Sequence, residues 1–385
     1  MSNQQTMEDA RKLGVRKRLG LETARRIQLN LAKEHPLRQL FWECTLRCNL
    51  HCRHCGSDCK SLPPTMGKTD MPREDFFAVL DSIAAKTDAH QVFVIVTGGE
   101  PLMRSDIVEC GRGIYERGFP WGMVSNGLAL TAEKLQALLQ AGMHSMTISI
   151  DGLKENHNWM RGLQQSFDRV DRALSFLNSI KTSYFQYDVV TCVTEHNYAE
   201  LTTLRENLVK KGVRAWRLFT VFPVGRAASD PELQLTNEHL RGLMVFIRET
   251  RREGRIKASY GCEGFLGSFE SEVRDGFYFC RAGVLVGSVL VDGNISACSS
   301  IRSDYVQGNI YQDDFMDVWE HRFGLYRNRE WMKKDECGEC EMWRYCRGNG
   351  MHLRDDQGRL LTCHLKRLST ELFLWVAFFF ITLPI

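Results

Sequence analysis

Apolar residues run together over several short stretches of the chain, and between those stretches they recur every three or four positions. The first pattern reads as strand and the second as helix. Leu37 to Glu43 is the first strand, followed by a helix over Asp75–Ala85 and the apolar strand Gln91-Val-Phe-Val-Ile-Val96. Helices over 105–117, 131–141, 166–179 and 197–211 then alternate with strands over Trp121–Val124, Ser145–Ile150, Tyr187–Val193 and Trp216–Phe222. Six strands in this β/α rhythm predict a parallel sheet with right-handed crossovers. Periodicity alone leaves a barrel and a doubly wound sheet both open. Before the first strand, residues 7–34 predict one or two amphipathic helices that dock on or cap the fold. After the sixth, a charged helix spans roughly 236–252. Val284–Val291, Asp292-Gly293 and Asn294–Ala297 then predict a hairpin closed by a tight turn. Phe315 to Trp319 opens a further helix.

Size and composition narrow the class. A chain of 385 residues exceeds one small core, so a large domain and a smaller one are expected. A net charge of +3 is too small to argue for nucleic acid. Residues 1–35 are polar and carry Arg16, Lys17, Arg18, Arg25 and Arg26, with no apolar segment of the kind a secretory signal needs. The expectation is a cytoplasmic protein, where fourteen cysteines point to metal or cluster ligation rather than disulfides.

The cysteines are ordered. Cys48-Asn49-Leu50-His51-Cys52-Arg53-His54-Cys55 follows the first strand with spacing C-x3-C-x2-C. Three thiolates on one loop can hold an iron–sulfur cube whose four irons need four ligands, leaving one iron open. Only one register fits, since starting from Cys44 gives x3 twice; Cys44 and Cys59 are expected to be thiols outside the ligand set. A zinc site is the competing use of the same residues. The spacing resembles the signature of the radical S-adenosylmethionine (SAM) superfamily, and the resemblance covers roughly residues 38 to 365. It implies an α/β fold, a partial (β/α)6 TIM-type barrel, with a SAM-binding [4Fe–4S] cluster on Cys48, Cys52 and Cys55. In that superfamily a GGEP stretch holds the amino group of SAM; here it is Gly98, Gly99, Glu100 and Pro101, after the second strand. Ribose and carboxylate contacts would fall around Ser125, Asn126, Ser149 and Asp151, with Thr191 carried over in the same way. His54 stands where relatives have an aromatic residue packed on adenine; an imidazole can stack there or hydrogen-bond to cluster sulfur.

A second set of cysteines resembles a SPASM domain, the C-terminal extension of radical SAM enzymes acting on peptides and proteins. The resemblance implies one auxiliary [4Fe–4S] cluster on Cys262, Cys280 and Cys298, and another on Cys337, Cys340, Cys346 and Cys363. The usual pattern has a further cysteine four residues after position 346, where this chain has Gly350. The first auxiliary cluster therefore lacks its fourth ligand, unless Glu263, His352 or His364 supplies it or no cluster forms. Structural zinc is the alternative for the C-terminal group. The division expected is 1–36 helical segment, 37–235 barrel, 236–258 linker, 259–367 SPASM domain and 368–385 apolar tail. The tail has no charge from Leu372 to Ile385, and as a helix its ~21 Å falls short of a ~30 Å bilayer core. It reads as a docked or foreign end, with peripheral membrane contact left open.

The chemistry implied is reductive SAM cleavage to a 5′-deoxyadenosyl radical and hydrogen abstraction from a peptide or protein, with an external donor such as flavodoxin or ferredoxin. FWECTLRC, HCGSDCK and VFPVGRA are similar to a SPASM subfamily encoded beside small lipoproteins in Bacteroidetes. Sulfatase maturation calls for an acid/base Asp where this chain has Ser299. A GTP 3′,8-cyclase of molybdenum cofactor synthesis shares the barrel but ends in a Gly-Gly tail that this chain lacks. A non-catalytic iron–sulfur or zinc-binding protein would need no SAM pocket.

Overall fold

The computed structural model describes residues 10–57, 69–301 and 303–369; Cys59 and the apolar tail from Leu372 lie outside the described residues. Strands β1 (Gln39–Glu43), β2 (Phe93–Thr97), β3 (Trp121–Ser125), β4 (Met143–Ser149), β5 (Gln186–Val193) and β6 (Ala215–Thr220) fall where the apolar runs predict them. They are hydrogen-bonded in sequence order and all parallel. Crossover helices follow them: α2 (Arg73–Lys86), α3 (Ile107–Glu116), α4 (Ala132–Gln140), α5 (Lys154–Arg161), α6 (Ser166–Ser179), α7 (Glu195–Tyr198) and α8 (Leu201–Lys210), with α1 (Val15–Glu34) ahead of β1 and α9 (Asn237–Glu253) after β6. The single helix expected over 197–211 is two, α7 and α8. α5 has no counterpart among the predicted elements.

The sheet is larger than six strands. β7 (Lys257–Tyr260) adds parallel to β6, from a stretch that reads as linker in the sequence. At the other edge, β8 (Val286–Val289) pairs parallel with β1 in the register Gln39↔Val286 to Trp42↔Val289. β9 (Asn294–Ser296) returns antiparallel to β8, confirming the hairpin, and β10 (Gly308–Asn309) pairs antiparallel with β9. The strand order runs β10-β9-β8-β1-β2-β3-β4-β5-β6-β7, an open sheet of ten strands.

Parallel strands covered by helices bury both faces, and the core shows it. Leu40, Trp42, Val94, Val96, Trp121, Met146, Ile148, Trp216 and Leu218 are 2% exposed or less. Trp42 stacks on Phe76 of α2 with ring centroids 4.3 Å apart. Cys44 is fully buried, and its carbonyl accepts from Arg104 Nη1 at 2.7 Å. α1 clamps the C-terminal part of the chain: Lys17 Nζ donates to Ser268 O at 2.7 Å, Gln28 Nε2 to Tyr278 O at 2.9 Å, and Glu22 pairs with Arg344 at 2.7 Å. No helix among the described residues is long and apolar enough to cross a membrane.

Candidate functional site

The C-terminal ends of β1 to β4 open onto one cavity of about 140 Å3. Cys48, Cys52, His54 and Cys55 line it from the loop after β1, Gly98, Gly99 and Glu100 after β2, Ser125 and Asn126 after β3, and Ser149 from β4. Arg161, at the end of α5, and Arg226 complete the wall. Three of the residues predicted from sequence do not line it. Pro101 begins a buried single turn, Pro101–Met103. Thr191 is fully buried and is satisfied inside the sheet, accepting from Trp216 Nε1 at 2.8 Å and donating to Ile150 O at 2.5 Å. Asp151 is 1% exposed and acts on the wall through Arg161.

The glycines after β2 line the cavity and also pack against the cysteine loop. A Cβ on Gly98 would lie 2.4 Å from Thr45 O, and one on Gly99 2.4 Å from Arg47 O. Gly99 N and Glu100 N each donate at 2.8 Å to those same carbonyls. The missing side chains therefore let this strand end press against the cysteine loop and hold it by backbone hydrogen bonds. Glu100 is buried, and its carboxylate accepts from Leu102 N at 3.1 Å, Ser125 Oγ at 2.8 Å and Asn126 N at 2.7 Å. Burial raises its pKa against the pull of those donors. Asn126 reaches back to Asn49 Oδ1 at 2.8 Å, so β2, β3 and the cysteine loop form one hydrogen-bonded frame.

Arg161 was not legible as a site residue. It is buried, pairs with Asp151 Oδ2 at 2.7 Å, and points Nη1 at Cys52 Sγ at 3.6 Å. Asp151 also accepts from Cys192 N at 2.9 Å. Burial pushes the Asp151 carboxyl up, but Arg161, together with His54, His157 and the Cys192 N–H, holds the group below its ordinary range. The His54 ring stands 3.9 Å from the same carboxylate and is kept neutral by burial. His157, at the back of this group, receives Asp151 N at Nδ1 (3.1 Å), and burial lowers its pKa to about 3.

The C-terminal thiols gather in two places. Cys337, Cys340, Cys346 and Cys363 line one small cavity of about 30 Å3, walled otherwise by residues such as Phe265, Trp343 and Leu365. Cys262, Cys280 and Cys298 form the other group: burial, then the nearness of Cys262, then that of Cys280, push the Cys298 thiol up to about 12. Each thiol site has its own buried arginine. Arg354 Nη2 lies 3.5 Å from Cys337 Sγ; at Cys280 burial pushes the thiol up, but Arg329 with the Met351 and Ala282 N–H groups holds it below its ordinary value. A polythiolate site carrying net negative charge needs such compensation when dry.

The spacing of the sulfurs tests which group they suit. Tetrahedral zinc, with Zn–S near 2.3 Å, sets sulfurs roughly 3.8 Å apart. Among the described residues, no three of these sulfurs lie within 4.8 Å of one another. A four-iron cube puts each thiolate on a different iron and holds the sulfurs wider than one zinc ion does. Among the described residues the one compact donor group, His54, Asp151 and Cys192, already has its carboxylate paired with Arg161.

A side chain at position 350 would have to displace the His352 ring. A Cβ there would meet His352 Cε1 at 2.6 Å and Nδ1 at 3.0 Å. His352 is buried, its ring 4.9 Å from Phe222, and burial lowers its pKa to about 4. Glu263 and His364 belong to a neighbouring network: Thr220 and Tyr260 hydroxyls donate to Glu263 Oε2, and His364 Nε2 lies 3.5 Å from it.

Residues 42–207 match the model of the radical SAM superfamily, and residues 280–342 that of the SPASM iron–sulfur cluster-binding domain. The chain is 27% identical to an AdoMet-dependent heme synthase of Methanosarcina barkeri, covering 83% of this chain and 92% of that protein. It is 29% identical to the mycofactocin maturase MftC of Mycolicibacterium smegmatis, over 81% of this chain and 77% of the relative. In structure it is similar to anSMEcpe with bound AdoMet, at a TM-score of 0.67, 20% identity, and 86% and 94% of the two chains. It is also similar to Streptococcus suis SuiB bound to precursor peptide SuiA, at 0.62, 16% identity, and 86% and 74%.

Proposed function

Because this chain carries a radical SAM domain joined to a SPASM domain, with [4Fe–4S] clusters and SAM as its cofactors, we propose that it abstracts a hydrogen atom from a peptide or protein substrate. The observation that carries this reading is the convergence of Cys48, Cys52 and Cys55 with the strand ends of β2, β3 and β4 on one cavity. When bound there, a [4Fe–4S] cluster supplies the electron that splits SAM into methionine and a 5′-deoxyadenosyl radical. The residues around it orient and dry the site. Cys48, Cys52 and Cys55 hold the cluster, and the backbone N–H groups of Gly99 and Glu100 fix their loop. Ser125, Asn126 and Ser149 face SAM, and Arg161 offsets the negative charge at Cys52. His54 presents a neutral ring that can stack on the base. Exclusion of water protects the radical and strengthens these contacts.

Cys337, Cys340, Cys346 and Cys363 hold a complete auxiliary cluster in this reading. Cys262, Cys280 and Cys298 hold one whose fourth iron site is exchangeable, because the 350 position carries no donor atom. The expected division of the chain at 37, 236, 259 and 368 goes with the same reading, with β7 and β8 of the later segments extending the six-stranded sheet at its two sides. Placement in the subfamily found beside small lipoproteins rests on the sequence stretches alone.

The likeness to SuiB bound to precursor peptide SuiA supports a peptide substrate. A tetrapyrrole is the second reading, favoured by the likeness to heme synthase over 92% of that protein. Anaerobic reconstitution, iron counting and assay of 5′-deoxyadenosine test the chemistry. Deuterium transfer into 5′-deoxyadenosine from labelled peptide or from labelled iron-coproporphyrin distinguishes the substrates. Absence of SAM cleavage in protein loaded with iron overturns the proposal.

A further inference from the structure

Ten large hydrophobic side chains are exposed among the described residues, and four of them, Val15, Leu19, Ile27 and Leu29, belong to α1. Val15 and Leu19, 75% and 65% exposed, are the two most exposed of the ten. The inner face of the same helix is occupied. Leu21 is buried, Gly20 packs on Phe277, and Lys17 and Gln28 donate to Ser268 O and Tyr278 O. Positions four and seven apart share a helix face. Val15, Leu19 and Arg26 therefore follow one outer line, with Arg16, Thr23 and Ile27 on the line beside it.

That outer surface is cationic. Lys12, just ahead of the helix, and Arg16, Arg18, Arg26 and Lys33 are all exposed, and the exposed acid of the helix is Glu34. These cations are not committed elsewhere. Lys12, Arg16 and Lys33 have no ion-pair partner among the described residues, and the Arg18 guanidinium donates only to Leu13 O. The Arg26 side chain, 78% exposed, stands 4.0 Å from a Glu22 already taken by Arg25 at 2.5 Å and Arg344 at 2.7 Å. Aliphatic groups interleaved with free cations select the partner. The chain's own uncharged tail laid over this face would bury cations without partners. A second copy would bring two positive faces together. An anionic bilayer suits both kinds of residue, with cations at the phosphates and aliphatics at the acyl boundary. The chain also ends nearby. A Cβ on Gly267 would meet both Ala10 O at 1.9 Å and Leu365 Cδ1 at 2.8 Å, so the turn His364–Leu368 sits at the foot of α1. Past Ser369 the sequence has no charge from Leu372 to Ile385.

We propose that the outer face of α1 is a peripheral docking surface for an anionic lipid bilayer. The helix lies along the headgroups through Lys12, Arg16, Arg18, Arg26 and Lys33, while Val15, Leu19 and Ile27 enter the boundary between headgroups and acyl chains. The contact is peripheral, since no helix among the described residues is long and apolar enough to span a membrane. Lys17 and Gln28 hold α1 to the C-terminal domain from its other face, so docking leaves those bonds in place. Binding needs none of the chemistry assigned to the SAM cavity.

The experiment floats the full chain, loaded with its clusters under anaerobic conditions, with vesicles of phosphatidylcholine alone or of phosphatidylcholine and phosphatidylglycerol in equal parts. The bound fraction is measured against lipid concentration at low and at physiological salt. Arg16→Gln with Arg26→Gln tests the cations, Val15→Ser with Leu19→Ser the aliphatics, and Val376→Asp with Phe379→Asp the tail. The parent is expected to bind the anionic vesicles, to leave phosphatidylcholine unbound, and to bind more weakly as salt rises. Loss of the two cations is expected to weaken binding about thirtyfold, and loss of the two aliphatics about tenfold. Iron content and circular dichroism are expected to stay at parental values in both. The tail variant is expected to keep its preference for anionic vesicles. No binding to anionic vesicles, equal binding to both kinds, or parental binding by both α1 variants overturns the proposal. So does a tail variant that binds neither kind, which would place the anchor beyond Ser369. A parent that light scattering shows to be a dimer, with monomeric α1 variants, also overturns it, because another copy then covers the face.

Discussion

Replacing Arg161 with Met removes the one cation that faces both Asp151 and Cys52 while keeping most of the side-chain volume. Asp151 is then a carboxylate 1% exposed, with Cys192 N–H at 2.9 Å and no cationic partner at 2.7 Å. Breaking a buried pair by removing one partner costs about 3–5 kcal/mol, because the remaining charge stays in a dry site. The pH dependence follows from the sign of the shift. In the parent, Asp151 is held below its ordinary 3.8 despite burial, so its contribution to stability is complete above that value and is lost as the pH falls through the lowered one. In the variant burial acts without Arg161 and the carboxyl rises. The deficit is therefore largest at neutral pH and shrinks on acidification. Anaerobic urea denaturation of Arg161→Met, Asp151→Asn and the double variant measures it. The double variant, with both charges gone, should regain most of the loss. A single-variant loss below about 1 kcal/mol, the range of exposed pairs, or no recovery in the double variant, would refute the reasoning.

Alanine at Cys48, Cys52 or Cys55 should each remove about four irons and abolish SAM cleavage, whereas Cys44→Ala should keep both and lose only core packing; iron assay with 5′-deoxyadenosine detection checks this. Gly99→Ala should cost iron as well as SAM affinity, since its Cβ would press on Arg47 O at 2.4 Å and displace the cysteine loop; full iron with weakened SAM binding would return the glycine to a purely cofactor-facing role. Gly350→Cys alone should fail to close the first auxiliary cluster because the His352 ring occupies the approach, while Gly350→Cys with His352→Ala should close it and make its spectrum insensitive to added thiol. A chain ending after Ser369 should keep its iron and its cleavage activity, but one ending at Lys366 should lose stability, because Leu368 is fully buried and its carbonyl accepts from Arg241.

Cysteine spacing carried most of the site, because a cluster ligand set is partly local: three of its members sit within eight residues. The six strands were legible for the same local reason, since fully buried parallel strands are continuous apolar runs. Arg161 was not, because α5, Lys-Glu-Asn-His-Asn-Trp-Met-Arg, has only Trp159 and Met160 as apolar residues, too few to register a period. Its one signal was a basic last turn followed by Gly162, an ordinary helix stop. Arg329 and Arg354 gave no signal at all, since their thiol partners are 49 and 17 residues away. β7 was hidden by its length of four residues, and the pairing of β8 with β1 by its sequence separation. The strand-end glycines were legible as special, but only the fold shows that what crowds them is the neighbouring loop.

The pairing of β8 with β1 sets an order of events during synthesis. β1 emerges from the ribosome early and finds β2 soon after, but its other edge stays open until residues 286–289 have been made. α1 likewise waits for Ser268, Tyr278 and Arg344. For most of translation the strand that presents the cysteine loop is a sheet edge with unsatisfied backbone groups, the kind of surface that pairs with other chains. Contacts of such sequence separation also form slowly. Cluster loading should therefore follow release of the whole chain, and fragments that stop before β8 should be recovered as aggregates, even when every residue of the SAM cavity is present.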